Sequence, residues 1–179
     1  MSALVLALWT LLSGAASAAT SKSAFELHVA DLLLQQVAGS PPYAVARADN
    51  GDTIAVQGAG EFDVAAKAAS GSGTFVHHVV ATGANVSGTW TASRLVSFQF
   101  YGCGGAGFPP NFCGGLAKLD VTLTPDANSA LHLPAILWVD CLIGEKVPPS
   151  GAEGIRINVK DLLNFDQTID SGFTLFIEQ

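Results

Sequence analysis

Between Ala117 and Thr124 the chain alternates without a break: Ala117, Leu119, Val121 and Leu123 are apolar, while Lys118, Asp120, Thr122 and Thr124 are polar. Successive side chains of a β-strand point to opposite faces, so only a strand lets this stretch bury one set and wet the other. The same period of two, or a short apolar and β-branched run, recurs over residues 43–48, 53–57, 62–64, 74–80, 90–101, 135–143, 155–160 and 173–178. Asp49-Asn50-Gly51-Asp52 lies between the first two runs and predicts a hairpin turn. No helical pattern separates the later runs, which disfavours a parallel α/β sheet. The expected fold is mainly β: a single antiparallel β-barrel or β-sandwich of about nine strands, between which the pattern does not choose.

One internal echo stands out. Ser72-Gly73-Thr74-Phe75 returns as Ser87-Gly88-Thr89-Trp90. Each copy is expected to open a strand, the two strands being consecutive in a meander. Two copies are too few for a repeat architecture.

The N-terminus follows different rules. Residues 1–19 carry no Asp, Glu, Lys or Arg, and residues 3–12 are apolar except for Thr10. That run falls short of the roughly 20 residues that span a bilayer. It has the length of a signal-peptide core, and Ala16-Ser17-Ala18 supplies a small-x-small cleavage site, with the cut after Ala18 or one residue later. Residues 1–18 are therefore expected to be a cleaved signal peptide and the protein to be secreted and extracellular. Ser23-Ala24-Phe25-Glu26 then has capping-box form, and Phe25, Val29, Leu32, Leu33 and Val37 share a helical face. Gly39, Pro41 and Pro42 supply the stop. A helix over residues 24–38 is expected, inside an N-terminal helix and linker at 19–42 that precedes an antiparallel β domain at 43–179. A strand through residues 25–29 is its rival.

Export gives the cysteines a context. Cys103 and Cys113 flank a Gly/Pro-rich segment, and in an oxidising compartment such a pair closes a loop, stabilising by about 2–3 kcal/mol. Cys141 sits in the apolar run LWVDCLIG and reads as a buried free thiol, with a bridge to Cys103 or Cys113 as the alternative. Asn85-Val86-Ser87 is an N-glycosylation triplet in a turn-like stretch. Eight Lys/Arg against fifteen Asp/Glu leave a net charge of -7. Such a chain repels phosphate backbones and offers no basic cluster to an anionic membrane, so no nucleic-acid partner is expected. No second long apolar run follows the first, so the mature chain is not expected to insert in a membrane.

The motifs that would carry chemistry fail their context tests. Gly102 to Gly107 spell G-x-G-x-x-G, but Phe108-Pro109-Pro110 follows, and proline blocks the helix that a dinucleotide site requires. His77 and His78 are adjacent on a strand, so one faces inward and the other solvent. With neither C-x-x-C nor H-E-x-x-H present, no metal and no other cofactor is expected. Glu61, Asp63, Asp120 and Glu153 are glycosidase acids by residue type alone, and most alternate onto polar faces.

The sharpest anomaly is a pair of charges on apolar faces. Arg94 falls among Trp90, Ala92, Val96, Phe98 and Phe100, and Asp140 among Ile136, Trp138 and Leu142. A buried charge needs a partner, so Arg94 and Asp140 are expected to meet. Together with Trp138 and His78 they form the candidate ligand pocket. A structural ion pair, or a bulge that turns Arg94 outward, is the competing reading. On these grounds the chain is expected to be a secreted, non-catalytic β-domain with a binding or structural role of unknown specificity, a small molecule or a glycan being the partner it could take. The alternative is a cofactor-independent enzyme or carrier for a small apolar molecule, using a barrel cavity lined by Arg94 and Asp140.

Overall fold

The alternating runs become strands, and each finds antiparallel partners. The computed structural model describes residues 24–105, 107–169 and 171–179. The expected signal peptide and the Ser23 cap lie outside the described residues. The strands are β1 (Ala24–Val29), β2 (Ala44–Arg47), β3 (Thr53–Asp63), β4 (Ala68–Val79), β5 (Ala84–Cys103), β6 (Phe112–Pro125), β7 (Leu133–Cys141), β8 (Gly154–Val159), β9 (Leu163–Phe165), β10 (Gln167–Ile169) and β11 (Thr174–Glu178), with one helix, α1 (Leu32–Ala38). The expected hairpin is β2–β3. Asn50 Oδ1 accepts from the Asp52 N–H at 3.0 Å, and Gly51 takes the left-handed φ of 89° that the turn demands.

Two hydrogen-bonded paths join β3 to β6. One runs through β4 and β5, the other through β1 and β11, so these strands close a ring. Past the ring, β2 and β10 extend from the first half of β3, and β7, β8 and β9 extend from β6, where β7 pairs with Gly115 through Leu123. These two arms meet where β2 touches β8. The closed end is filled by Phe25, Phe62, Phe98 and Phe176, whose ring centroids stand 4.9 to 5.6 Å apart. Such aromatic pairs add about 0.5–1.5 kcal/mol each beyond the area they bury.

The Ser-Gly-Thr-aromatic echo acquires a physical reason. Gly73 lies opposite Trp90 and Gly88 opposite Phe75, so the glycine of each copy faces the ring of the other. A Cβ on Gly73 would sit 2.5 Å from Trp90 Nε1, and one on Gly88 2.6 Å from the Phe75 ring. The indole uses that space to donate from Nε1 to Gln57 O at 3.0 Å. Both copies lie inside β4 and β5, not at their starts.

The helix expected over residues 24–38 is half strand. Phe25, Leu27 and Val29 are buried in strict alternation, and β1 is bonded by β3 on one side and β11 on the other. Two ladders satisfy the backbone while all three side chains enter the core, which a surface helix would not achieve. The helix begins only after Asp31, whose carboxylate accepts from the Leu34 N–H at 3.1 Å. Leu32 and Val37, assigned to its buried face, are exposed, and Leu34 is the residue α1 buries. Gly39 ends it in the left-handed conformation, as expected. β1 lies inside the segment expected to be helix and linker, and it belongs to the sheet.

Candidate functional site

Arg94 and Asp140 do not meet. The β5–β6 register shifts between Ala92 and Arg94 and again between Leu95 and Ser97. These irregularities exchange the faces of β5: Trp90 and Leu95 are buried while Arg94 is exposed. Arg94 lies opposite Asp120, and its Nε donates to Asp120 Oδ2 at 2.7 Å. Asp140 lies opposite Leu116. Leu116 and Asp120 are four residues apart on β6, about 13 Å at ~3.3 Å per residue. The bulge reading holds, and the Arg94–Asp140 pocket does not. His78 also drops out, because its Nδ1 is 2.9 Å from Asn85 Oδ1 across the β4–β5 pair, away from β7.

The expectation that Asp140 needs a partner does hold. Its carboxylate is buried and accepts from Tyr101 O–H at 3.1 Å, the Ala152 N–H at 3.2 Å and Arg156 Nη2 at 3.3 Å. Burial, followed by the charge of Asp140, pushes the Tyr101 hydroxyl up to about 12. Beside this cluster, Glu153 accepts from the Leu142 N–H at 2.8 Å and the Thr174 N–H at 2.9 Å. Thr174 Oγ1 lies 2.7 Å from Glu153 Oε1 and 2.9 Å from Asp140 O, and its single proton serves one of them at a time. Cys141 is the buried free thiol expected, and burial raises it far above its usual range, so it is a packing residue and not a nucleophile. Cys103 and Cys113 form the expected disulfide across directly opposed positions of β5 and β6.

Arg156 links this cluster to the surface. Lys118, Trp138 and Arg156 are register partners on β6, β7 and β8. The Lys118 ammonium stands 3.7 Å from the centroid of the Trp138 ring, and the Arg156 guanidinium carbon 5.0 Å from it. They sit in a groove of about 420 Å³ with Val96, Ile136 and three polar residues further along. Those three are chained: Asn158 Nδ2 donates to Asn164 Oδ1 at 3.3 Å, and Asn164 Nδ2 to Asp166 Oδ2 at 3.4 Å. Among the described residues, no carboxylate lies within ion-pair distance of Lys118. Of the expected pocket, Trp138 lines this groove, and Asp140 serves it by holding Arg156.

A second recess, of about 100 Å³, lies at the open end of the barrel. Strands β3 to β9 all contribute to its wall, which is apolar except for His77. Asp52, in the turn before β3, accepts from the Val80 N–H at 2.9 Å and lies 3.0 Å from His77 Nε2. The Val80 bond, with help from His77, holds the Asp52 carboxyl below its usual value. An ionised carboxylate accepts only, so His77 Nε2 carries a proton, and in the neutral imidazole Nδ1 is then the acceptor. The four histidines are dispersed: His28 bonds Asp31, His77 Asp52, His78 Asn85 and His132 Thr124. Among the described residues, no group of three or more His, Cys, Asp or Glu is placed to hold a metal ion, and no helix is long and apolar enough to cross a membrane.

The two shifted carboxyls have opposite pH signatures. Asp52 has a lowered folded pKa, so its contribution is present above the ordinary carboxylate range and is lost as pH falls through that range. Burial raises Glu153, so the folded state holds its proton more tightly than the unfolded chain does. Stability therefore falls as pH rises from the ordinary Glu range, near ~4.3, to the raised value. Denaturant melts across pH should show a shallower acid-side loss in Asp52→Asn. In Glu153→Gln the decline on raising pH above about 4.3 should disappear.

No protein-family model, characterised protein or solved structure matches this chain. The site is therefore defined by its geometry. Lys118, Arg156 and Asn158 were visible in the sequence only as the polar halves of alternating strands. Asp52 was visible only as a turn residue, and Asn164 and Phe165 lie in the short strand β9, with Asp166 between it and β10, two strands that no pattern marked.

Proposed function

We propose that this chain is a secreted, non-catalytic binding domain whose ligand, an acidic saccharide, occupies the Trp138 groove. The observation that carries the proposal is the Lys118 ammonium, held on the Trp138 ring with no carboxylate partner among the described residues, beside the Asn158–Asn164–Asp166 chain. A saccharide carboxylate would meet Lys118, and sugar hydroxyls would exchange bonds with the amides and Asp166. The carboxylates near the groove support binding over catalysis. Asp166, which lines the groove, accepts from Asn164, Asp120 is engaged by Arg94, and Asp140 and Glu153 are engaged by backbone N–H groups and neighbouring side chains. Secretion rests on residues 1–18, and the disulfide is compatible with an extracellular setting. Asn85 is exposed, and in a host that glycosylates it would carry an N-glycan at the β4–β5 end, on a different strand pair from the groove.

The test is a glycan array containing uronate-bearing and neutral oligosaccharides, followed by calorimetry on the hits. Uronate-bearing ligands should bind, with affinity falling as salt rises. Lys118→Ala should weaken them about tenfold, the scale of one charge-assisted hydrogen bond. Preference for neutral glycans, or binding indifferent to Lys118, would overturn the acidic-saccharide assignment.

A further inference from the structure

The recess at the barrel mouth stands apart from the Trp138 groove. The groove lies on the outer face of β6–β8, and the recess lies among the inward side chains Ile54, Phe75, Leu123, Val159 and Phe165. One polar group interrupts its wall. His77 is oriented twice, by Asp52 at Nε2 and by Phe165, whose ring meets the imidazole edge-to-face at 5.3 Å. Asp52 is itself fixed by the Val80 N–H. Among the described residues, no protein group bonds His77 Nδ1. The His77 side chain is a quarter exposed, so Nδ1 is an oriented acceptor open to solvent at the recess, and a ligand donor there would take the place of water.

We infer that this recess is a binding site for a small, mostly apolar molecule carrying one hydrogen-bond donor, such as a phenol or a short alcohol, whose donor bonds His77 Nδ1. The size agrees. A dry apolar cavity of about 150 Å³ takes benzene; this one is about 100 Å³ and opens to solvent, so a single ring enters with one edge outside. The chemistry agrees as well. Burial of the apolar part supplies the attraction, and the oriented imidazole selects for the donor. The site needs neither Arg94 nor Asp140, and it is independent of the saccharide proposal.

The test uses the full chain with phenol and benzene as probes, read by NMR. Both should cause saturable shifts at Phe165, Leu133 and Leu163, with Trp138 unmoved. Phenol alone should shift the His77 Nδ1 nitrogen. His77→Leu removes the acceptor and should weaken phenol about tenfold relative to benzene, while His77→Gln keeps an acceptor and should recover part of the difference. Val86→Phe should block both probes by filling the mouth. Absence of saturable shifts from either probe on the wild-type chain would overturn the inference without recourse to any variant. Equal treatment of phenol and benzene by wild type and His77→Leu would overturn the role of His77.

Discussion

Gly73→Ala should be among the most destabilising single changes in this protein. The added Cβ would lie 1.9 Å from Gln57 O, 2.5 Å from Trp90 Nε1 and 2.7 Å from Gly58 Cα. Two of these neighbours are backbone, so no rotamer change relieves the clash. β3 must separate from β4, and Trp90 must shift as well. The first opens the ladder where Gly58 and Gly73 pair, and the second strips the indole of its bond to Gln57 O. A loss of about 4–5 kcal/mol is expected, a large part of the ~5–15 kcal/mol that holds a domain folded. Urea unfolding followed by Trp fluorescence measures it. Gly83→Ala is the control: Gly83 has a left-handed φ of 69° but nothing within 4 Å of its Cβ position, so only conformational strain of about 1 kcal/mol is expected. Comparable losses at the two sites would mean that conformation, and not the close packing of strands, governs the seam.

Asp140→Ala should cost about 3–4 kcal/mol, since removing one partner of a buried ion pair leaves the other uncompensated. Three donors lose their acceptor together: the Tyr101 hydroxyl, the Ala152 N–H and Arg156. Tyr101 is fully buried, so its hydroxyl finds no water in exchange. Asp140→Asn keeps one acceptor oxygen and should lose roughly half as much. Two readouts separate this cluster from ordinary core packing. The Tyr101 titration, pushed up to about 12 in part by the charge of Asp140, should move down in Asp140→Asn. Released from Asp140, Arg156 should also change the environment of the Trp138 ring and therefore its fluorescence. An unaltered Tyr101 titration would remove the charge of Asp140 from the account.

Much of the fold was legible because strand faces are a local property. The run from Ala117 to Leu123 shows its inward set directly, and all four of those residues are buried. The disulfide was legible because a glycine- and proline-rich hairpin loop brings its ends together whatever else the chain does. Illegibility began where geometry departed from strict alternation. The β5 bulges reversed the face of Arg94, and no residue type announces a bulge in advance. At residues 24–29 helical and strand periods both fitted, and a choice between them required β3 and β11 as partners.

By itself, then, the sequence determined a mainly antiparallel β domain, the hairpin at Asn50-Gly51 and the requirement that Asp140 have a partner, and it favoured the Cys103–Cys113 bridge over the other two pairings. Only the tertiary structure decided who that partner is. It also decided that Lys118, Trp138 and Arg156 line up on three adjacent strands, and that Asp52 reaches His77 at the barrel mouth. The physical reason is register. Alternation tells which face a residue occupies, but the residue beside it on the next strand depends on how distant segments align, and a one-residue slip changes every neighbour.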